Sequence, residues 1–208
     1  MDEKIDVRDE FGDPTGEVVW KSEAHRLGLW HRCFHCWISG SDSDGPYLLV
    51  QRRAAAKNTW PGYLDVSAAG HLVAGENTLD GLREVEEELG LKVEPERLVP
   101  LGLRRIEQEI PAGRDREFHD VFLLLNSTPP EDLRLQEEEV ESVVRIGLED
   151  VESLGDGGTI VARRYMGGKS TAVEVSLADF VPNEDGYLLS VARAAREVFA
   201  GENPERIF

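Results

Sequence analysis

Hydrophobic and polar positions alternate with two different periods along this chain, and each change of period marks an element. Residues 4–20 alternate apolar and polar around Gly12, Asp13, Pro14 and Gly16, the pattern of a small hairpin. Residues 31–39 and 47–52 are strand-like runs, and the intervening SGSDSDGP is rich enough in Ser, Asp and Gly to predict a turn and a second hairpin. From Asp65 to Ala74 the chain reads as short extended pieces around Gly70, closed by Gly75 and Glu76. The period then becomes helical. Leu79, Leu82, Val85 and Leu89 recur at helical spacing from about Thr78 to Leu89, and Gly90 is a natural stop. Beyond it, 99–107, 118–126 and 143–147 read as strands and 187–199 as a closing amphipathic helix. Residues 153–172 carry five glycines among polar residues and are expected as a loop insertion, with the final ENPERIF a loosely held tail.

Strands and helices mixed in this order predict an α/β or α+β fold. With 208 residues, one domain over 1–208 is expected: an N-terminal hairpin extension (1–30), a core (31–150), and a C-terminal loop insertion with its closing helix (151–208). A composition of 40% hydrophobic and 31% charged residues supports a packed core. Lys and Arg total 23 against 41 Asp and Glu, a net charge of -18 that repels nucleic-acid backbones and anionic membranes, so neither is expected as a partner. An anionic substrate would then need a local cationic group or a bound metal ion. The start, MDEKIDVRDEF, lacks a signal-peptide pattern and no apolar run approaches ~18 residues, which points to a cytoplasmic protein. Cys33 and Cys36 are too few for a disulfide framework. Their spacing of three in a strand sends the side chains to opposite faces, so both are read as core residues rather than joint zinc ligands.

The helix at 78–89 carries the chemistry. Positions i, i+3 and i+4 share a face, so Glu84, Glu87 and Glu88 should project together, opposite the apolar stripe. A solvated charged face is the ordinary reading of an acidic helix. Here, however, Glu84, Glu86, Glu87 and Glu88 crowd together with only Arg83 nearby to offset them, in the last turns, where the helix dipole disfavours negative charge. Oxygen donors held this close suit a hard divalent cation such as Mg2+, with water and substrate phosphates completing its shell.

Residues 70–91, GHLVAGENTLDGLREVEEELGL, resemble the Nudix box, G-x5-E-x7-R-E-U-x-E-E-x-G-U with U aliphatic. Gly70, Glu76, Arg83, Glu84, Val85, Glu87, Glu88, Gly90 and Leu91 fit, but six residues rather than seven separate Glu76 from Arg83, which puts the placement of Glu76 in question. The resemblance implies an α/β/α sandwich with a mixed sheet. It also implies a pyrophosphohydrolase in which Glu84, Glu87, Glu88 and the Gly70 carbonyl hold Mg2+ or Mn2+. Arg83 would orient the acids, and Glu88 or a later acid such as Glu117 would accept the proton. The implied substrate is a nucleoside diphosphate-X or a related small diphosphate; a homodimer stays open. Segments EAHRLGLWH, NTWPGYLDVSAAGH and EFHDVFLLL resemble the branch containing type I isopentenyl diphosphate isomerase and its hydrolytic relatives. The isomerase uses a Cys immediately before Gly70; Ala69 stands there and can serve as neither acid, base nor nucleophile. The same branch implies a metal held by His25, His31, His71, Asp115 and Glu117, against the alternative of ordinary polar residues at a strand entrance.

Three further signals stand apart from the box. Arg52, Arg53 and Lys57 form a basic group suited to phosphate contact, Arg53 foremost. Trp60, before Pro61 and Gly62, is a candidate wall for a base or isoprenoid pocket, although a Trp beside a turn more often covers a core edge. Glu137, Glu138 and Glu139 precede a strand where a late catalytic acid is sometimes found, though such a run is more often a surface loop. A rival to the hydrolase is a Nudix-like module that binds a nucleotide or diphosphate for regulation without turnover.

Overall fold

A computed structural model of the chain describes residues 2–183 and 185–208. The N-terminal hairpin forms as expected from β1 (Lys4–Arg8) and β2 (Pro14–Trp20). Residues 21–27, which the hydrophobic pattern did not separate from the hairpin, make a short helix, α1 (Lys21–Leu27), ended by Gly28 at a φ of 64°. The second hairpin pairs β3 (Trp30–Asp42) with β4 (Gly45–Arg53), and its ladder continues to Asp42 and Gly45. Only Ser43 and Asp44 remain as the turn, so the expected eight-residue connection is mostly strand. Short strands β5 (Leu64–Asp65) and β6 (Ala68–His71) follow.

The helix predicted over 78–89 is divided. Thr78–Leu82 forms a 3-10 turn and only Arg83–Leu89, α2, is α-helical. A 3-10 turn rises about 2.0 Å per residue against about 1.5 Å in an α-helix, so the tighter winding spans the distance with fewer residues. This turn lies within the stretch that is one position short between Glu76 and Arg83. It also rotates Leu79 off the apolar stripe, leaving it 46% exposed.

Next come β7 (Leu98–Ile110), β8 (Gly113–Leu125), β9 (Val140–Gly147), α3 (Leu148–Gly155), β10 (Ile160–Met166), β11 (Lys169–Val175) and α4 (Tyr187–Phe199). Residues 153–172 are therefore not a loop insertion. Ile160, Ala162 and Tyr165 point inward while Val161 and Arg163 face out, a near-alternation that the flanking glycines obscured. The final residues are not loose either: the amides of Ile207 and Phe208 lie 2.8 and 3.3 Å from the Leu101 carbonyl.

These strands form one mixed eleven-stranded sheet among the described residues. β3 runs parallel to β8, from Trp30 opposite Arg116 to Ser39 opposite Leu125, and antiparallel to β4 and β6. Helices cover both faces. Phe34, Cys36, Val85 and Leu89 pack on the α2 side. Trp37, Leu123, Val144, Leu148, Val151, Tyr187 and Val191 pack beneath α3 and α4. The architecture is an α+β sandwich. No helix among the described residues is long and apolar enough to cross a membrane.

Candidate active site

The acids of α2 approach the sheet at β6. A Cβ placed on Gly70 would lie 2.0 Å from Glu84 Oε1, so only glycine lets the carboxyl rest on this strand. Glu88 is just 2% exposed; its Oε2 accepts from the Ala69 amide at 3.1 Å and from Gln51 Nε2 at 3.3 Å. Glu87 stays at the rim with its side chain 54% exposed. The acidic face is therefore only partly opposite the apolar stripe, because Glu88 lies beside Leu89 and tucks under the helix with it. Burial raises the Glu88 carboxyl to about 8, aided by the charge of Glu84 and opposed by Lys57. Burial also raises Glu84, against the pull of Arg83.

Arg83 ties this corner together. Its Nε donates to Glu76 at 2.9 Å, one terminal nitrogen donates to the His71 carbonyl at 3.0 Å, and the other pairs with Glu84. Glu76 also accepts from the Val73 amide at 2.7 Å. The shortened spacing thus leaves Glu76 fastened to Arg83.

On the opposite face of β6 a second cluster assembles from four elements. His25 comes from α1, His31 from β3, His71 from β6, and Asp115 and Glu117 from β8. Donor atoms of His25, His31, His71 and Glu117 all lie within 4.8 Å of one another. Glu117 Oε1 is 3.1 Å from His71 Nε2 and 3.3 Å from His31 Nε2, and Asp115 Oδ1 is 3.6 Å from His25 Nε2. His31 Nδ1 donates to the Leu29 carbonyl at 2.9 Å, which leaves its Nε2 lone pair facing the cluster. The Nε2 atoms of His25, His31 and His71 and Oδ1 of Asp115 are buried without a hydrogen-bond partner. Four unpartnered polar atoms converging on one point are costly unless a cation completes them, and the donor set fits a divalent ion.

The three imidazoles differ in their electrostatics. Burial lowers His71 to about 3 and lowers His25 as well, favouring the neutral rings that ligate metals, whereas against the downward push of burial Glu117 and Asp115 raise His31. Burial and the Glu117 charge raise Asp115 above the usual carboxylate range. Against the upward push of burial, the hydrogen bond from His119 and the nearby imidazoles of His31 and His71 hold Glu117 well below the usual carboxylate range.

The two groups meet on one strand. Gly70 faces Glu84 while the next side chain, His71, enters the histidine cluster, as alternation along a strand requires. Cys33 and Cys36 are both free and buried and face opposite sides, as expected. Cys36 is in the apolar core, whereas Cys33 Sγ donates to Glu117 Oε1 at 3.1 Å.

Arg53 contacts Asp65 at 2.9 Å and the Thr59 carbonyl at 3.0 Å, and Arg52 donates to the Gly62 carbonyl at 2.7 Å, so both brace the loop 54–63. Lys57 pairs with Glu139, the one member of the 137–139 run drawn toward the site. Trp60, in that loop, has a φ of 50° and a buried indole Nε1 without a partner, with its ring edge-on to Tyr63 at 5.4 Å. Sequence reasoning missed Gln51, which bonds Glu88, and His119, which bonds Glu117 at 2.6 Å. His119 was within reach of strand parity, since it follows Asp115 and Glu117 at spacing two.

Residues 29–165 match the NUDIX domain. An uncharacterized Nudix hydrolase of Clostridium acetobutylicum is 35% identical over 204 residues, 93% of this chain and 97% of the relative. An isopentenyl-diphosphate Delta-isomerase of Corynebacterium diphtheriae is 41% identical over 91 residues, 43% of this chain and 48% of the relative. Among solved structures, DR0079 from Deinococcus radiodurans has a TM-score of 0.56 at 21% identity, covering 75% of this chain and 91% of that one, a likeness of fold.

Proposed function

Since the chain belongs to the Nudix family and is a hydrolase, we propose that it cleaves a diphosphate linkage in a nucleoside diphosphate derivative or related small organic diphosphate, using Mg2+. The observation that carries this reading is the pair of carboxyls, Glu84 and Glu88, withdrawn from water against Gly70 and Ala69 with Glu87 at their rim. Acids packed this closely are favourable when a cation shares them.

Glu84, Glu87, Glu88 and the Gly70 carbonyl would hold that ion, which when bound neutralises the diphosphate and acidifies an attacking water. Arg83 acts on the acids rather than on substrate, fixing Glu84 and Glu76. Glu88, oriented by Gln51, and Glu117 are the two proton acceptors the fold offers. Lys57 and Arg53, whose charges reach Glu88 and Asp115, lie where they could meet a phosphate, and Trp60 offers a ring to the leaving group. His25, His31, His71, Asp115 and Glu117 would hold a second divalent ion, and their mixed imidazole and carboxylate donors suit a first-row transition metal. Ala69 leaves the isomerase reading without its acid.

The test is Mg2+-dependent release of phosphate-containing products from a panel of nucleoside diphosphate derivatives and prenyl diphosphates. Glu87→Gln and Glu88→Gln should abolish turnover while the fold is retained. Tight binding of a panel member by wild type with no turnover anywhere would favour the regulatory module instead.

A further inference from the structure

Glu117 is the hub of the histidine cluster, and what orients it lies outside that cluster. One carboxyl oxygen, Oε1, faces His71, His31 and Cys33, while the other, Oε2, lies 2.6 Å from His119 Nε2. The opposite nitrogen of that ring, Nδ1, lies 3.1 Å from a terminal nitrogen of Arg104. A guanidinium can only donate, so Nδ1 must be the acceptor. The ring hydrogen therefore sits on Nε2 and is donated to Glu117.

Arg104 is itself immobilised. It is 8% exposed, grips the Asp185 carboxylate with two nitrogens, one of them at 3.0 Å from Oδ1, and lies over the Tyr187 ring with its guanidinium carbon 4.1 Å from the centroid. The face of His119 is stacked on His35 at 3.8 Å, and His35 Nδ1 is 3.1 Å from the Tyr187 hydroxyl. His119 is thus held by edge and by face and cannot flip without breaking these contacts.

We propose that Asp185, Arg104 and His119 are positioning residues that lock the Glu117 carboxyl with Oε1 turned toward the imidazoles. The role in metal affinity rests on the reading of His25, His31, His71, Asp115 and Glu117 as a metal centre. None of the three is a ligand; each acts through the next, and the chain of contacts is Asp185 to Arg104 to His119 to Glu117. Asp185 stands just before α4, so the segment following the sheet takes part in shaping a site built from α1, β3, β6 and β8.

Two measurements on the full chain test this. Long-range proton–nitrogen NMR of chelator-treated protein reads the tautomer of His119. Wild type should carry the hydrogen on Nε2, and Arg104→Met should admit the Nδ1 form. A wild-type ring protonated on Nδ1 would overturn the lock. Calorimetric titration with Mn2+ alone reads the centre, identified as the binding lost in His71→Ala. Arg104→Met and His119→Gln should weaken that binding by about 10- to 100-fold, the usual consequence of losing a group that orients a ligand. Arg104→Lys should recover part of it, and Glu87→Gln should leave it unchanged. Wild-type Mn2+ affinity in a folded Arg104→Met protein would refute the proposal. If that variant does not fold, Asp185→Asn, at a half-exposed position, carries the same test with a smaller loss. Should wild type bind no Mn2+ at His71, the metal-centre reading falls, and the NMR spectrum decides the lock by itself.

Discussion

At the scale of single residues, Gly70 and Glu88 mark where the acids of α2 meet the sheet: one leaves room for Glu84 and the other is itself buried. Gly70→Ala places a methyl carbon where Glu84 Oε1 now rests, so the carboxyl must move. A displacement of that size typically costs about 100-fold in rate, and kcat/KM for the diphosphate substrate should fall by about that factor with the melting temperature nearly unchanged. For Glu88 the sign follows from its raised value. The carboxyl titrates near 4.5 when unfolded and about 8 when folded, so between those values the folded protein binds more protons than the unfolded one. Chelated wild type should therefore lose stability as pH rises through that window. Glu88→Gln, which cannot ionise, should be flatter and, above pH 8, more stable by on the order of 5 kcal/mol. Urea unfolding across pH, with and without Mg2+, checks this; parallel profiles would contradict it.

At the scale of elements, α2 is placed by the turn ahead of it. A Cβ on Gly81 would lie 2.4 Å from the Phe34 Cβ, so this glycine lets the turn lie directly on β3. Gly81→Ala should lower stability by about 1–3 kcal/mol in urea unfolding and reduce activity by lifting the acids from Gly70. The helix, its stop at Gly90 and its acids were legible because each depends on spacing within a few residues. The 3-10 start was not, since it depends on the close approach of Gly81 to Phe34, which is distant in the chain. β10 and β11 were hidden for a different reason: the glycines around them masked the near-alternation of β10, and β11 is exposed along most of its length and buries only Val175. α1 lay too close to the first hairpin for any change of period to announce it.

At the scale of the whole molecule, long-range pairing decides what the segments become together. The C-terminal residues illustrate this, because Phe208 sits edge-on to Tyr187 at 5.3 Å and Tyr187 in turn contacts His35 and Arg104. Phe208→Ala should lower stability by about 2 kcal/mol, less than for a fully buried ring, and a calorimetric scan would show the lowered melting temperature. The sequence by itself determined the acid helix and the direction of its chemistry, because helical spacing alone brings Glu84, Glu87 and Glu88 together near Arg83. It named the histidines and the acids of β8 only through family resemblance, since no local period relates them. Tertiary structure alone decided that Cys33 and Glu117, 84 residues apart, touch, that Glu88 is desolvated, and that His119 and Arg104 stand behind Glu117. Parallel strand register and burial belong to the assembled sheet, and no stretch of chain contains them before it folds.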